Sequence, residues 1–400
     1  MHASVRRTLV LAGMSSFLVA VDDGRPAVAR QPIAPGLQFM TPPLAHGLHP
    51  VTFAELPGWA LDDHAAAFAA FNASCQALLR RVASTSDKPA DAALLTVCRQ
   101  AIKLAANPGS ALARAFFESH FTPQSVDAGG APGLLTAYYE PVLAGRRVPS
   151  PGFQVPLHRR PADLVNLVDE ADRGAKSGAL THARKTTTGT VPFPTRQQID
   201  EGVLAGQGLE IFYVADEVER FFLQIQGSGV LELADGSRVR ITYDGKNGHP
   251  YTSVGRYLIE QGVIGADQMS LQALGSWLRA DAARGRRAIW QNKSYVFFRE
   301  MPNATGAIGV MGVPLTPLRS LAVDPAFNAL GAPIFVDAAE LTHITGKPFR
   351  HLMIGHDVGS AIKGRQRGDI YAGSGAKAGQ IAGITKNAGR FFVLLPKLVP

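Results

Sequence analysis

A mainly β protein with N-terminal helices, an α+β chain, is what this 400-residue sequence predicts. Three observations carry the expectation. Glycine (41) and proline (27) are frequent, and each interrupts helices for its own reason, so long helices cannot dominate. Apolar residues recur at helix spacing from His64 to about His120. After Gly130 short apolar runs alternate with turn residues, as in barrels and sandwiches. Hydrophobic residues make up 46% and charged ones 18%, which predicts a sizeable core, and the length suits two domains.

The first residues predict export. Arg6-Arg7 precede an apolar stretch, Thr8 to Val21, too short to cross a bilayer, with small residues at Ala20 and Ala27-Val28-Ala29. This resembles a secretory signal over residues 1–29 and points to the periplasm. The competing reading is a start that is not a signal, because the segment after Val21 is acidic. No cysteine follows the apolar stretch, so an outer-membrane lipid anchor is not expected. A Pro/Gly-rich leader, Arg25 to Pro57, is expected to run over the surface.

Helices are predicted over Asp63–Val82 and Ala90–Ala106, with a third around Ala111–Phe117 after the break at Asn107-Pro108-Gly109. The two cysteines, Cys75 and Cys98, fall in the first two helices. A pair cannot build a structural zinc site, and the spacing is not CxxC. In an oxidising compartment they either form a disulfide between the helices or remain two buried thiols. Leu134–Tyr139 then reads as a strand. Arg220–Gln226, Val230–Leu233 and Arg238–Tyr243 read as further strands, the last two joined by the Asp235-Gly236 turn. Helices return at Ser253–Gln261 and Ser270–Arg284. Strands follow near Tyr295–Arg299, Ile334–Val336, Leu352–His356 and Phe391–Leu395.

A formal charge of +8 suits an acidic polymer as partner, although a solvated basic surface explains it as well. Nucleic acid is disfavoured: there is no helix-turn-helix spacing, zinc-finger cysteine set or dense basic helix. His351, His356 and Asp357 lack a third fixed ligand, so no metal is expected. Ser228 and Ser374 stand outside any Gly-x-Ser-x-Gly elbow, and Gly373-Ser-Gly375 lacks the P-loop lysine.

The chemistry-bearing segment is His356–Gly364 followed by Gly368–Gly375. It carries two carboxylates, Asp357 and Asp369, twelve positions apart and bracketed by glycines. Glycines let a polymer backbone approach closely. Burial and a neighbouring carboxylate are what keep an acid protonated near neutral pH. Plain Asp-Gly turns would look the same.

Asp324-Pro325, Asp357–Gly364 and Asp369-Ile-Tyr-Ala-Gly373 resemble the three-aspartate, or 3D, module. Leu135–Pro141, Gln224–Gly229, Tyr243–Tyr251 and Asn292–Phe298 resemble the membrane-bound lytic transglycosylase A family. The likeness runs in order from Leu134 to Leu395. It implies a double-psi β-barrel built from both ends of the chain, a second, smaller β-barrel domain inserted into it, and a glycan groove between them. The implied parts are residues 1–29 (signal), 30–137 (N-terminal part of the first domain), 138–293 (insert) and 294–400 (C-terminal part). It also implies cleavage of peptidoglycan strands without a cofactor by a monomer, with cell-wall synthesis or division proteins as partners. Asp369 takes the place of the acid. Asp357 either supports it or merely ties a turn, and Asp324 is expected to be structural. Thr136, Tyr139, Gln226, Ser228, Gly229, Lys246 and Asn247 match the groove motifs, the last two also reading as a plain hairpin connection. A non-catalytic wall-binding barrel and a hydrolase of the same bond are the alternatives.

Overall fold

The computed structural model describes residues 47–81, 89–104, 108–127, 129, 133–168, 180–301, 306–359 and 361–397. The signal expected over residues 1–29 lies outside them, as does the leader before residue 47. No helix among the described residues is long and apolar enough to cross a membrane.

The chain opens with β1 (Leu48–Pro50), then α1 (His64–Arg81), α2 (Pro89–Ala101) and α3 (Ser110–His120), followed by β2 (Phe121–Val126) and β3 (Gly133–Glu140). In α1, Phe68, Phe71, Cys75 and Leu78 fall on one face and are buried, which is why this alanine-rich segment docks instead of standing free. Cys75 and Cys98 form a disulfide that fastens α1 to α2. Closing a loop of this length removes unfolded-chain entropy worth roughly 3 kcal/mol. A Cys75→Ala/Cys98→Ala variant is therefore expected to lower the urea midpoint, while added reductant should shift the native protein but not the variant.

The middle segment holds β4 (Val142–Ala144), β5 (Val155–His158), β6 (Leu164–Asn166), β7 (His182–Thr186), β8 (Gly189–Val191), α4 (Arg196–Asp200) and β9 (Glu210–Val214). It continues with α5 (Glu217–Gln226), β10 (Ser228–Glu232), β11 (Arg238–Lys246), α6 (Val254–Glu260), α7 (Leu271–Ala280), α8 (Ala282–Ile289) and β12 (Val296–Glu300). Strands β12-β11-β10-β4 form one sheet, β5 pairs with β9, and β6-β7-β8 form a third. An Arg146–Tyr213 bridge ties the end of β4 to β9.

Two expectations are corrected here. Arg220–Gln226 is not a strand but most of α5. Asp216 accepts from the Glu219 amide at 2.7 Å, Gly227 closes the helix at φ +80°, and Val218, Phe221 and Phe222 recur at helix spacing. The aromatic run mimicked a β pattern. The helix expected over Ser270–Arg284 breaks at Asp281, whose extended backbone ends α7 while its side chain caps α8. The middle sheet also reaches past Lys293, because β12 pairs with β11 as far as Glu300. Tyr138 and Glu140 pair with β16 (Arg367–Ser374).

The remaining elements are β13 (Ser320–Val323), β14 (Pro333–Ala338), β15 (Phe349–Asp357), β16, α9 (Gly375–Ile384) and β17 (Lys386–Pro396). The order β17-β14-β15-β13-β16-β3 closes through β3–β17 pairing into a six-stranded barrel, with β2 and β1 continuing from β17. Sequence-distant strands therefore sit side by side, β3 from before the middle segment and the others from after it. Every residue of β14 is buried, as a strand covered on both faces requires, and one core joins Phe71 and Phe117 of the helices to Leu321, Val336, Ile354 and Ile370 of the barrel.

Candidate active site

Alternation along β16 decides where Asp369 points. Ile370 lies in the barrel core, and at Gly368 an added Cβ would stand 2.8 Å from Phe391 and 3.0 Å from Leu321. Asp369, between them, faces the other side. Its neighbours in register are Thr136 on β3 and Ala322 on β13, and Ala322 in turn pairs with Asp357 on β15. The β13–β15 register shifts between Leu321 and Ala322, so His356 is passed over and Asp357 is brought beside Ala322. Asp357, Ala322, Asp369 and Thr136 thus form a row across four adjacent strands, the two acids separated by the small side chain of alanine.

The row is only partly sealed: both aspartates are half-buried. The Thr136 hydroxyl donates to Oδ1 of Asp369 and accepts from Nη2 of Arg367 at 2.8 Å. Burial pushes the Asp369 carboxyl above its ordinary range, against the pull of the Thr136 hydrogen bond and the Arg367 charge. Burial also raises Asp357, to about 6, with the Asp369 charge adding to it. Oδ1 of Asp357 accepts from the Val310 and Val358 amides at 3.1 and 3.0 Å, and Oδ2 accepts from the Tyr138 hydroxyl at 3.0 Å. Two acids in one environment are thereby split: Asp357 is held by three donors, whereas Oδ2 of Asp369 meets no such set among the described residues.

Residues that motif reading passed over complete the site. The Tyr138 ring lies 5.3 Å from that of Tyr371, whose hydroxyl is 3.2 Å from Ser374 Oγ. Ser374 donates to the fully buried Glu140 at 2.7 Å, and Arg240 of β11 clasps both Glu140 oxygens at 2.7 and 3.0 Å. This charge-assisted clasp binds the middle sheet to barrel strands β3 and β16. Glu140 belongs to the Leu135–Pro141 run, but nothing in the sequence names Arg240 as its partner.

The expected binding residues separate into groups. Thr136 touches Asp369 directly. The Tyr139 amide donates to Gln226 Oε1 at 3.1 Å, joining β3 to the end of α5, and the Tyr139 ring packs where Gly379 of α9 has no side chain, 2.9 Å from a would-be Cβ. Ser228 begins β10, half-buried. Gly229 packs closely on α5, a would-be Cβ lying 2.4 Å from the Leu223 side chain. Lys246 is half-buried and ends β11 opposite Val296.

Asn247 departs from its expected place in the groove. It is fully buried: its amide donates to the carbonyls of Pro194 and Lys293 at 2.8 and 2.9 Å, and its oxygen accepts from the Tyr295 amide at 2.9 Å. These bonds occupy the side chain in joining β11 to the segment before β12, so none is left for a sugar. Asp324 is buried and accepts from the Ala326 and Gly364 amides at 3.2 and 2.9 Å, shaping the turn that precedes β16. His356 bonds Ser74 and Ser320 through its two nitrogens at 2.6 and 2.7 Å, and those contacts tie β15 to α1.

Two family profiles match, one described as the MltA specific insert domain over residues 134–299 and one as the 3D domain over residues 319–395. Membrane-bound lytic murein transglycosylase A of Vibrio cholerae is 33% identical over 267 residues, covering 65% of this chain and 65% of that protein. The chain thus spans about 65% of the length of the curated relatives it matches. The crystal structure of a membrane-bound lytic murein transglycosylase from Agrobacterium tumefaciens is 35% identical with a TM-score of 0.79, covering 88% of this chain and 98% of that one. E. coli MltA with bound chitohexaose is 27% identical with a TM-score of 0.61, covering 90% and 93%. Profile matches over both the middle segment and the barrel, with sequence identity sustained over nearly the whole Agrobacterium chain, lead to one conclusion: this chain belongs to the membrane-bound lytic murein transglycosylase A family.

Proposed function

We propose that the protein is a lytic transglycosylase that cleaves the β-1,4 bond between N-acetylmuramic acid and N-acetylglucosamine in peptidoglycan, leaving 1,6-anhydromuramyl ends. The observation that carries this reading is the Asp369 carboxyl: raised by burial, hydrogen-bonded among the described residues on one oxygen, and only partly accessible beside Thr136. Such a group holds its proton to higher pH than an ordinary aspartate, and can give it up and take it back.

Asp369 protonates the glycosidic oxygen, the bond to C1 breaks, and positive charge develops at C1. The muramyl 6-hydroxyl oxygen then bonds to C1, and its proton passes to the Asp369 carboxylate. No water is consumed, and the acid is restored. A hydrolase of the same bond needs a second carboxylate free to position water. Asp357 is poorly suited, since both its oxygens already accept hydrogen bonds. Its role here is support: it holds the Tyr138 hydroxyl. The oligosaccharide named with the E. coli relative supports a sugar polymer in the groove, with Tyr139, Gln226, Ser228 and Lys246 as its polar contacts. Relatives named membrane-bound support an envelope-associated enzyme.

Incubation with purified sacculi followed by mass spectrometry tests the reaction. Muropeptides ending in anhydromuramic acid are expected. Products heavier by one water would replace the proposal with hydrolysis, and no release at all would favour a wall-binding protein.

A further inference from the structure

Arg367 stands two residues before Asp369 on β16, and its side chain returns over the strand. Nη2 donates to Thr136 Oγ at 2.8 Å, while Nη1 reaches the carbonyls of Leu134 and Gly368. A guanidinium carries donors only. Its contact with Thr136 therefore uses one lone pair of the hydroxyl, and the hydroxyl keeps its single hydrogen for its other partner, Oδ1 of Asp369. An oxygen that accepts this hydrogen cannot share the same direction with a proton of its own. We propose that Arg367 is a positioning residue which, acting through Thr136, confines the catalytic proton to Oδ2 of Asp369.

This inference rests on Asp369 being the acid. Its consequence is that donation and return of the proton use one oxygen, the one turned away from Thr136, so the attacking 6-hydroxyl must approach that side. Without Arg367 the Thr136 hydroxyl is free to rotate and to accept instead of donate, and the proton divides between both oxygens.

The other titratable groups around the row are Asp357 from β15, Tyr138 from β3, Tyr371 from β16 itself and Lys386, opposite Thr136 on β17. The Arg367 charge and the Thr136 hydrogen bond both pull the Asp369 pKa down against burial. Removing them therefore moves the basic limb of the pH–rate profile upward, because the acid keeps its proton to higher pH.

The test compares Arg367→Met, Arg367→Gln and Arg367→Lys in the full chain, with kcat, KM and pH profiles on sacculi. Arg367→Met is expected to lower kcat about tenfold with KM within about twofold, and to raise the basic limb by roughly half to one pH unit. Arg367→Gln loses the charge but keeps a donor, so it should share the limb shift yet retain most of kcat. Arg367→Lys should restore the limb. Thr136→Val should match the kcat loss of Arg367→Met, and Thr136→Ser should not. Equal kcat in the Met and Gln variants, or a limb unmoved in Arg367→Met, overturns the proposal. If the Met variant does not fold, an unmoved limb in Arg367→Gln overturns it alone. An inert Asp369→Asn together with unmoved Arg367 variants would refute this inference only, whereas an active Asp369→Asn would refute the acid assignment beneath it.

Discussion

Asp369→Asn is expected to fold, to bind glycan strands and to lose at least about a thousandfold in turnover, since one side chain supplies both proton transfers. The asparagine oxygen still accepts from Thr136, so the geometry of the row is kept while the transferable proton is gone. Stability separates this from a folding defect. Burial raises the Asp369 pKa in the folded protein, so the folded state holds that proton more tightly than the unfolded chain does. The favourable contribution is present at low pH and is lost as pH rises from the unfolded value, about 3.9, through the folded one. Above the folded pKa the wild-type protein carries a buried carboxylate at a cost, and there the asparagine variant should melt at an equal or higher temperature. Near pH 4 that advantage should shrink. A variant that is inactive, binds sacculi in a pull-down and melts no lower above the folded pKa supports the assignment; turnover near wild type would remove Asp369 from the mechanism.

The strands β14, β15 and β17 were readable because each carries a short run of buried apolar residues, Ile334–Val336, Leu352–Ile354 and Phe391–Leu394, while their closure into a barrel came only with the family resemblance. The α5 helix was not, because Phe221-Phe222-Leu223 carries strong β propensity and its helical signals lie at the ends, in Asp216 and Gly227. The site was legible as residue types but not as an arrangement. Nothing local says that Asp357 and Asp369 flank Ala322, since that depends on a register shift between β13 and β15. The Arg367–Thr136–Asp369 chain depends likewise on parallel pairing of β16 with β3, strands more than two hundred residues apart. Asn247 shows the opposite failure. An asparagine beside glycines reads as a ligand contact, and only the fold reveals that three backbone groups already occupy its side chain.

Asp62→Ala is expected to be the most damaging single change away from the site. Asp62 lies just before α1, buried, and its two oxygens accept from Arg319 twice at 2.9 Å, from His351 at 2.7 Å, and from the Leu352 and Asp63 amides at 2.7 and 2.9 Å. It thus ties the N-terminal segment both to β15 and to the residue preceding β13, the two strands that carry Asp357 and Ala322. Removal leaves the Arg319 guanidinium buried without its counter-charge, a loss that typically costs about 3–5 kcal/mol. Burial by itself would push the Asp62 carboxyl upward, but the hydrogen bonds from His351 and Arg319 and the Arg319 charge outweigh it and hold the group well below the usual carboxylate range. A lowered folded pKa contributes stability that is complete above the unfolded value, about 3.9, and is lost as pH falls toward the folded one. Urea denaturation should accordingly show the full difference between wild type and Asp62→Ala above about pH 5, narrowing below pH 4. The double variant Asp62→Leu/Arg319→Met, which removes both charges and keeps apolar volume, should recover much of the loss. A double variant as unstable as Asp62→Ala would mean that the amide bonds at Leu352 and Asp63, and not the stranded guanidinium, set the cost.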